Sequence, residues 1–209
     1  KSRLVGKITC PANKSYTHRA IFLAALSDGK SIVKKILHSN DTVATISACR
    51  GFGVEVEEVE NNVTIKNKIG ETVQSSIINA ENSGTTIRIA IAIAALSGGN
   101  TTLTGDDSLK KRPMQPILDA LERMGVKTES NEGRPPIHIN GKIQGKEISI
   151  NGDISSQFIS ALLIIAPRLP DGLIINVEGK LVSKPYVDLT IAIMKKFGVD
   201  VKHYKKIDE

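Results

Sequence analysis

Residues 11–26 read PANKSYTHRAIFLAAL, and the segment changes from polar and basic to almost wholly apolar along its length. A helix at a protein surface alternates its polar and apolar faces, whereas this segment collects its charge at one end. The pattern predicts a buried helix whose N-terminus opens at a functional site. Because a helix N-terminus carries unpaired N–H groups and a partial positive charge, Lys14 and Arg19 beside it predict an anion-binding site.

This motif recurs along the chain. NKSYTHR (13–19) and NSGTTIR (82–88) both begin with Asn, end with Arg and lead into AALS. In a third copy, ISSQFISALLIIAP (154–167) occupies the same place. The Arg of the second copy, Arg88, is therefore expected to join the same site.

The repeat extends to whole structural units. Gly-Val pairs recur at nearly equal spacing, at residues 53–54, 125–126 and 198–199, where each would end a second helix. The sequence predicts three β-α-β-α-β-β units, at roughly 4–67, 75–141 and 146–206. Their outermost strands would be LVGKITC (4–10) and VDVKHY (199–204).

The predicted fold class is α/β, with the three units in a pseudo-threefold arrangement within a single domain, 1–209. The first helix of each unit is apolar nearly all round, so these helices should lie parallel in the centre. The second helices are amphipathic and should form an outer layer with the sheets. Three parallel central helices would open their N-termini at one end of the domain, which concentrates positive charge there.

The composition limits the kinds of binding partner that we expect. The chain has 28 Lys and Arg against 22 Asp and Glu, so its net charge of +6 favours an anionic partner. The basic residues are scattered and aromatic residues make up only 3%, which argues against nucleic acid. No apolar run approaches the roughly 20 residues that a membrane span needs. Small anionic metabolites remain as the expected partners.

The cysteines and acidic residues supply little further chemistry. Cys10 and Cys49 are isolated, which indicates a reducing compartment, by default the cytoplasm, and predicts that both are small core residues. Neither a metal-ligand spacing nor a glycine-rich nucleotide loop is present, so no metal is expected. The Asp residues near helix starts are ordinary caps by this reasoning, and no catalytic pair emerges.

Several polar residues at the predicted helix starts allow two interpretations. Ser15 and the triplet Ser155-Ser156-Gln157 could cap helices or bind a phosphorylated ligand. Arg112 could be a solvated loop charge, and Tyr186 could lie in the core or cover a ligand ring. Gly84 would let the backbone approach a ligand closely. His18 is expected to be a packed or surface histidine without a binding role.

In their order and spacing, NKSYTHRA, ENSGTTIR, KKRP, SSQF and LVSKPY resemble the N-terminal half of the 5-enolpyruvylshikimate-3-phosphate synthases across essentially the whole chain. The resemblance implies transfer of the enolpyruvyl group of phosphoenolpyruvate to the 5-hydroxyl of shikimate 3-phosphate, a step toward aromatic amino acids, without any cofactor. It also implies a second, C-terminal domain as partner, toward which residues 1–12 would form the hinge.

The resemblance further implies the site residues. Contacts with shikimate 3-phosphate are expected from eight residues: Lys14, Ser15, Arg19, Ser155, Ser156, Gln157, Ser183 and Tyr186. Contacts with phosphoenolpyruvate are expected from Lys14, Asn82, Gly84, Arg112 and Gln157. The acid–base groups of this family lie in the other half, so no catalytic residue is expected here and the chain alone should be inactive. At position 81 this chain has Glu, whereas members of the family commonly have Gly before the Asn that corresponds to Asn82.

Two other functions fit parts of the pattern. The related enolpyruvyl transferase that acts on UDP-N-acetylglucosamine shares the fold, but it usually has Lys-Asn where this chain has Lys14-Ser15. The other is a binding protein without catalysis: an RNA-binding α/β repeat protein would fit the charge but not its scatter or the few aromatic residues, whereas a non-catalytic ligand-binding domain stays open.

Overall fold

The computed structural model describes residues 5–70 and 75–204, which form helices and strands in alternation. The α-helices are α1 Lys14–Leu26, α2 Asn40–Gly51, α3 Gly84–Ser97, α4 Gln115–Glu122, α5 Ser156–Ile165 and α6 Lys184–Lys196. The strands are β1 Ser31–Lys34, β2 Val56–Val59, β3 Asn62–Ile65, β4 Ser76–Asn79, β5 Asn100–Thr104, β6 Lys127–Asn131, β7 Arg134–Asn140, β8 Glu147–Asn151 and β9 Ile174–Glu178. None of these helices has the length and apolar composition needed to cross a membrane.

The first helix of each unit is buried, as predicted. α3 exposes part of only Thr85 and Arg88, and α5 part of only Gln157. α3 packs against α5, and α1 packs against both. Because each central helix is surrounded by protein, an apolar residue is favourable at almost every position around it.

The second helices and the sheets cover this centre. α2 packs against α1 and α3, α6 against α5 and α1, and α4 against α3 and β8. Each buries one face only, for example Ile117, Leu118 and Leu121 of α4. The predicted threefold α/β arrangement is therefore confirmed.

The second unit forms the most complete sheet, in the order β4-β5-β7-β6. β4 and β5 are parallel, whereas β7 is antiparallel to both β5 and β6. The first unit forms β1-β3-β2, the counterpart of β5-β7-β6. The third unit forms the parallel pair β8-β9, the counterpart of β4-β5. Each flanking unit thus has only part of the four-stranded arrangement.

Both predicted outermost strands are wrong where the structure describes them. Residues 5–10 are not a strand, and Val5 and Ile8 are 85% and 91% exposed, so no core face holds this segment against β1. Residues 199–204 are not a strand either. Their counterpart β6 is held only by β7, and the described part of the third unit contains no equivalent of β7.

The prediction for the cysteines is half right. Cys49 is fully buried in α2, and burial raises the pKa of its thiol to about 12. Cys10 is exposed, because it lies in the segment before α1 that the core does not cover. The prediction of a core position for Cys10 is therefore wrong.

Candidate anion-binding site

Helices α1, α3, α5 and α6 begin at one end of the fold, and side chains link their N-terminal halves. We call this end the N-terminal face, defined by residues 13–19, 82–88, 155–160 and 183–190. Its helix caps are Asn13, Ser83 and Ser155, whose side-chain oxygens accept from the backbone N–H of Tyr16, Thr86 and Gln157 respectively. The unpaired N–H groups of these helices therefore point toward a shared surface.

Arg19 lies at the centre of one half of this face and is only 2% exposed. Its guanidinium donates to the Thr190 hydroxyl at 2.7 Å, the Ser160 hydroxyl at 3.2 Å and the Ser15 carbonyl at 3.1 Å. Within the described residues no carboxylate lies within 4 Å of it. Burial lowers the pKa of Arg19 to about 10, although nearby Tyr186 opposes this shift. A buried cation held by neutral groups alone favours binding of an anion.

Arg88 occupies the other half. Its Nη1 donates to Gln157 Oε1 at 2.6 Å and to the Gly84 carbonyl at 3.3 Å, and its guanidinium lies 5.0 Å from the Phe158 ring centroid. Its Nε is buried without a hydrogen-bond partner in the described residues. Burial, assisted by the positive charge of Arg112, lowers the pKa of Arg88 to about 10. This second cation also lacks a carboxylate partner within 4 Å in the described chain.

Gly84 is the point where Arg88 and Arg112 meet. A Cβ atom added to Gly84 would lie 2.8 Å from Arg88 Nη1 and 2.9 Å from Arg112 Nη1. Arg112 Nη2 donates to Asn82 Oδ1 at 2.7 Å, and Asn82 Nδ2 donates to Asp106 Oδ2 at 2.8 Å. Arg112 is therefore held in place by Asn82 and is not a free loop charge.

If phosphoenolpyruvate binds beside Gly84, as the sequence resemblance implies, Gly84→Ala should weaken its binding about tenfold, because the new methyl group displaces two charged hydrogen-bond donors. Binding of shikimate 3-phosphate should change less than threefold, since Arg19 and Tyr186 belong to the other half. Isothermal titration with each ligand measures both values. Gly6→Ala is the matched control, because a Cβ there meets nothing within 4 Å. Equal losses for the two ligands would contradict the assignment.

Lys14 and Ser15 begin α1 at the rim of the face. Lys14 Nζ pairs with Asp41 Oδ2, at the start of α2, at 3.1 Å, and both side chains are partly exposed. Ser15 is half-buried and does not cap the helix, since Asn13 has that role. The interpretation of Ser15 as the N-cap is therefore wrong.

The remaining predicted residues line the third and fourth helix starts. Ser155 caps α5, which bears out the structural interpretation of its hydroxyl, while Ser156 is buried. Ser183 has a left-handed backbone, with φ 54° and ψ 38°, and makes no side-chain cap. Tyr186 is 48% exposed, and Arg19 lies 5.9 Å from its ring centroid. The tyrosine is thus on the face and not in the core.

Glu81 bonds a neighbouring amide through its carboxylate, and among the described residues that carboxylate has no ion-pair partner within 4 Å. Its Oε1 accepts from Asn79 Nδ2 at 2.7 Å, and its backbone has φ 49°, a left-handed conformation that is favourable for glycine. The conformation explains why glycine suits this position.

Glu81→Gly should raise the free energy of unfolding by about 0.5 kcal/mol. Glycine adopts the left-handed conformation without the strain that Glu81 has there, and this gain exceeds the two losses: the hydrogen bond to Asn79 and the greater conformational entropy of the unfolded chain. Urea unfolding measures this change. The same substitution at Glu57, in the extended strand β2, should instead destabilise the chain. If Glu81→Gly is less stable than the wild type, the hydrogen bond of the carboxylate stabilises the fold by more than the left-handed backbone conformation destabilises it.

The sequence did not reveal every residue that builds the site. Ser160 and Thr190 hold Arg19 and also bond each other at 2.9 Å. The sequence feature that could have pointed to these two residues is a hydroxyl side chain in an otherwise apolar part of α5 and of α6. Asp106, interpreted as a cap, does accept from Leu109 N–H but also orients Asn82. Only the folded chain brings these residues together.

Comparison with known proteins agrees with this geometry. The family model for EPSP synthase (3-phosphoshikimate 1-carboxyvinyltransferase) matches residues 1–208. The chain is 54% identical over 202 residues to the 3-phosphoshikimate 1-carboxyvinyltransferase of Nitrosopumilus maritimus, covering 97% of this chain and 48% of that protein. It is 45% identical over 203 residues to the enzyme of that name from Methanothermobacter thermautotrophicus, covering 96% and 48%.

The fold is similar to a solved structure as well. EPSP synthase from Acinetobacter baumannii superposes with a TM-score of 0.77 at 29% identity, over 95% of this chain and 45% of that one. The chain therefore spans about half the length of the relatives it matches. With its motifs, its threefold fold and these matches in agreement, the chain belongs to the EPSP synthase family and corresponds to its N-terminal half.

Proposed function

We propose that the chain forms the shikimate 3-phosphate side of an enolpyruvyl transferase. The observation that carries the proposal is the pair of buried arginines, Arg19 and Arg88, each without a carboxylate partner among the described residues and each beside converging helix N-termini. Shikimate 3-phosphate and phosphoenolpyruvate together bring two phosphates and two carboxylates, which match this excess of positive charge.

The two halves of the N-terminal face suit different ligands. We assign shikimate 3-phosphate to Ser15, Arg19, Tyr186 and the hydroxyls at the starts of α5 and α6. We assign phosphoenolpyruvate to Asn82, Gly84 and Arg112. We assign Lys14, at the rim of the face, and Gln157, which accepts from Arg88, to both ligands.

The reaction joins the 5-hydroxyl oxygen of shikimate 3-phosphate to C2 of phosphoenolpyruvate. The hydroxyl loses a proton as C3 of phosphoenolpyruvate gains one, and the C2–O bond to phosphate then breaks while C3 returns a proton. Helix N–H groups and guanidinium groups would hold both reactants side by side, which supplies proximity and stabilises the phosphate that leaves. No residue of this chain is assigned to proton transfer, and we place those groups in a second domain.

The same reasoning extends to the organisation of the protein. We propose that residues 1–209 form one domain of three units and that residues 1–12 connect it to the second domain. The exposed apolar side chains of Val5 and Ile8 support this connection, because nothing in the described chain covers them. We further propose that the protein acts in the cytoplasm on small anionic metabolites.

Calorimetry on the 209-residue chain tests the proposal. We expect measurable binding of shikimate 3-phosphate and no binding of UDP-N-acetylglucosamine or a short RNA. A coupled phosphate-release assay with both substrates should show no turnover for this chain alone. Binding of the UDP-sugar or RNA in preference to shikimate 3-phosphate would contradict the assigned substrate, and robust turnover would contradict the placement of the acid–base groups.

A further inference from the structure

A line of buried polar side chains joins α1, α2 and α3 beneath the N-terminal face. His18 Nδ1 lies 2.6 Å from Thr45 Oγ1, which lies 2.7 Å from Thr86 Oγ1, which lies 2.7 Å from Ser83 Oγ. All four side chains belong to residues that are at most 1% exposed. None of the four was assigned a role by the motifs or by the proposed function.

The direction of the hydrogen bond between Thr86 and Ser83 sets the direction of the others. Thr86 donates its hydroxyl proton to Ser83 Oγ, so the contact between Thr45 and Thr86 requires the proton of Thr45. The contact between His18 and Thr45 then requires a proton on His18 Nδ1. The hydroxyl oxygens of Thr45 and Thr86 also each lie 3.3 Å from the Asp41 carbonyl oxygen. These contacts are longer, so the carbonyl competes only weakly for the two hydroxyl protons.

We propose that His18 is a positioning residue that, in its neutral form with the proton on Nδ1, orders this line and thereby holds the start of α3 against α1. Ser83 is the N-cap of α3, and its neighbours Asn82 and Gly84 belong to the half assigned to phosphoenolpyruvate. Lys14 and Ser15 lie one turn before His18 on α1. The line therefore couples the two halves of the N-terminal face.

Two further observations support a neutral His18 that acts through one nitrogen. Its Nε2 is buried and has no hydrogen-bond partner in the described residues, so Nδ1 alone connects it. Burial lowers the pKa of His18 to about 4, and the charges of Lys14 and Arg19 act in the same direction while Asp41 opposes them. The coupling to ligands rests on the proposed function, but the proton order does not.

Nitrogen NMR of the histidine-labelled 209-residue chain tests the proton order directly. His18→Asn identifies the His18 signals by their absence. We expect Nδ1 of His18 to give a protonated, pyrrole-type signal and Nε2 an unprotonated, pyridine-type signal. In Thr45→Val, which removes the acceptor, the proton should move to Nε2. A wild-type His18 protonated on Nε2 would overturn the proposal, whatever the Thr45→Val variant shows.

The positioning role is tested by comparing a variant that removes the hydrogen bond of His18 with one that restores it. Titration of phosphoenolpyruvate in the presence of saturating shikimate 3-phosphate should show roughly fivefold weaker binding for His18→Leu, the expected effect of one lost buried hydrogen bond. His18→Asn places an amide N–H near the position of Nδ1 and should stay within twofold of wild type. His38→Leu, at an exposed histidine, is the control.

Equal affinities of the Asn and Leu variants would overturn the positioning role. Failure of the wild-type chain to bind either ligand would instead overturn the proposed function, and the NMR measurement would still decide the proton order.

Discussion

Arg19→Met is expected to bind shikimate 3-phosphate at least 100-fold more weakly than the wild-type chain, because charge-assisted hydrogen bonds to a phosphate or carboxylate are among the strongest in proteins. Its stability should not fall. Arg19 is buried against neutral groups only, so a methionine of similar length removes a desolvated charge, and the free energy of unfolding should rise by about 1 kcal/mol. The hydroxyls of Ser160 and Thr190 remain satisfied, because they bond each other.

Calorimetry and urea unfolding measure the two effects of Arg19→Met. Arg168→Met is the matched control: Arg168 is also mostly buried, but it lies beyond the C-terminal end of α5 and approaches Asp28 at 3.9 Å. It should leave ligand binding unchanged. An Arg19→Met chain that binds shikimate 3-phosphate within threefold of wild type would show that this guanidinium is structural.

The second large effect is a loss of stability in mild acid. The pKa of His18 is lowered by burial from its ordinary 6.5 to about 4. Between these values the unfolded chain binds a proton that the folded chain does not, so acidification favours unfolding. At 1.36 kcal/mol for each pKa unit, the contribution of His18 is complete above pH 6.5 and on the order of 3 kcal/mol smaller near pH 4.

Unfolding curves of the wild type and His18→Asn isolate this contribution, since the other titrating groups are common to both chains. The free energy of unfolding of the wild type should fall more steeply as the pH drops from 6.5 to 4. His38→Asn, at an exposed position, is the matched control for the substitution itself. Parallel curves for wild type and His18→Asn would show that His18 is protonated as readily in the folded chain.

The central helices were predictable because their environment is nearly uniform. A helix surrounded by protein needs apolar residues at almost every position, and IRIAIAIAAL shows this in the printed sequence. The polar residues at the start of each of these helices also indicated where they open. The repeat then supplied the arrangement, since equal units with buried first helices can share a core only side by side.

Strand pairing and hydrogen-bond partners were not predictable in the same way. The segments 4–10 and 199–204 have strand-like sequences, yet a strand also needs a neighbour, and pairing depends on residues distant in the chain. Likewise, nothing local indicated that Thr190 would meet Arg19, 171 positions earlier. The sequence allowed a packed or a surface histidine at position 18, and it did not indicate the contact with Thr45 because that hydroxyl comes from another helix.

The unequal sheets carry a consequence for how the chain acquires its structure. The second unit pairs four strands within about 65 residues, whereas the described residues pair three strands in the first unit and two in the third. Contacts between segments that are near in the sequence form faster than contacts between remote segments. Among the described residues, the second unit has the largest set of such strand pairings. The middle of the sequence should therefore nucleate, and the flanking units should assemble onto it afterwards.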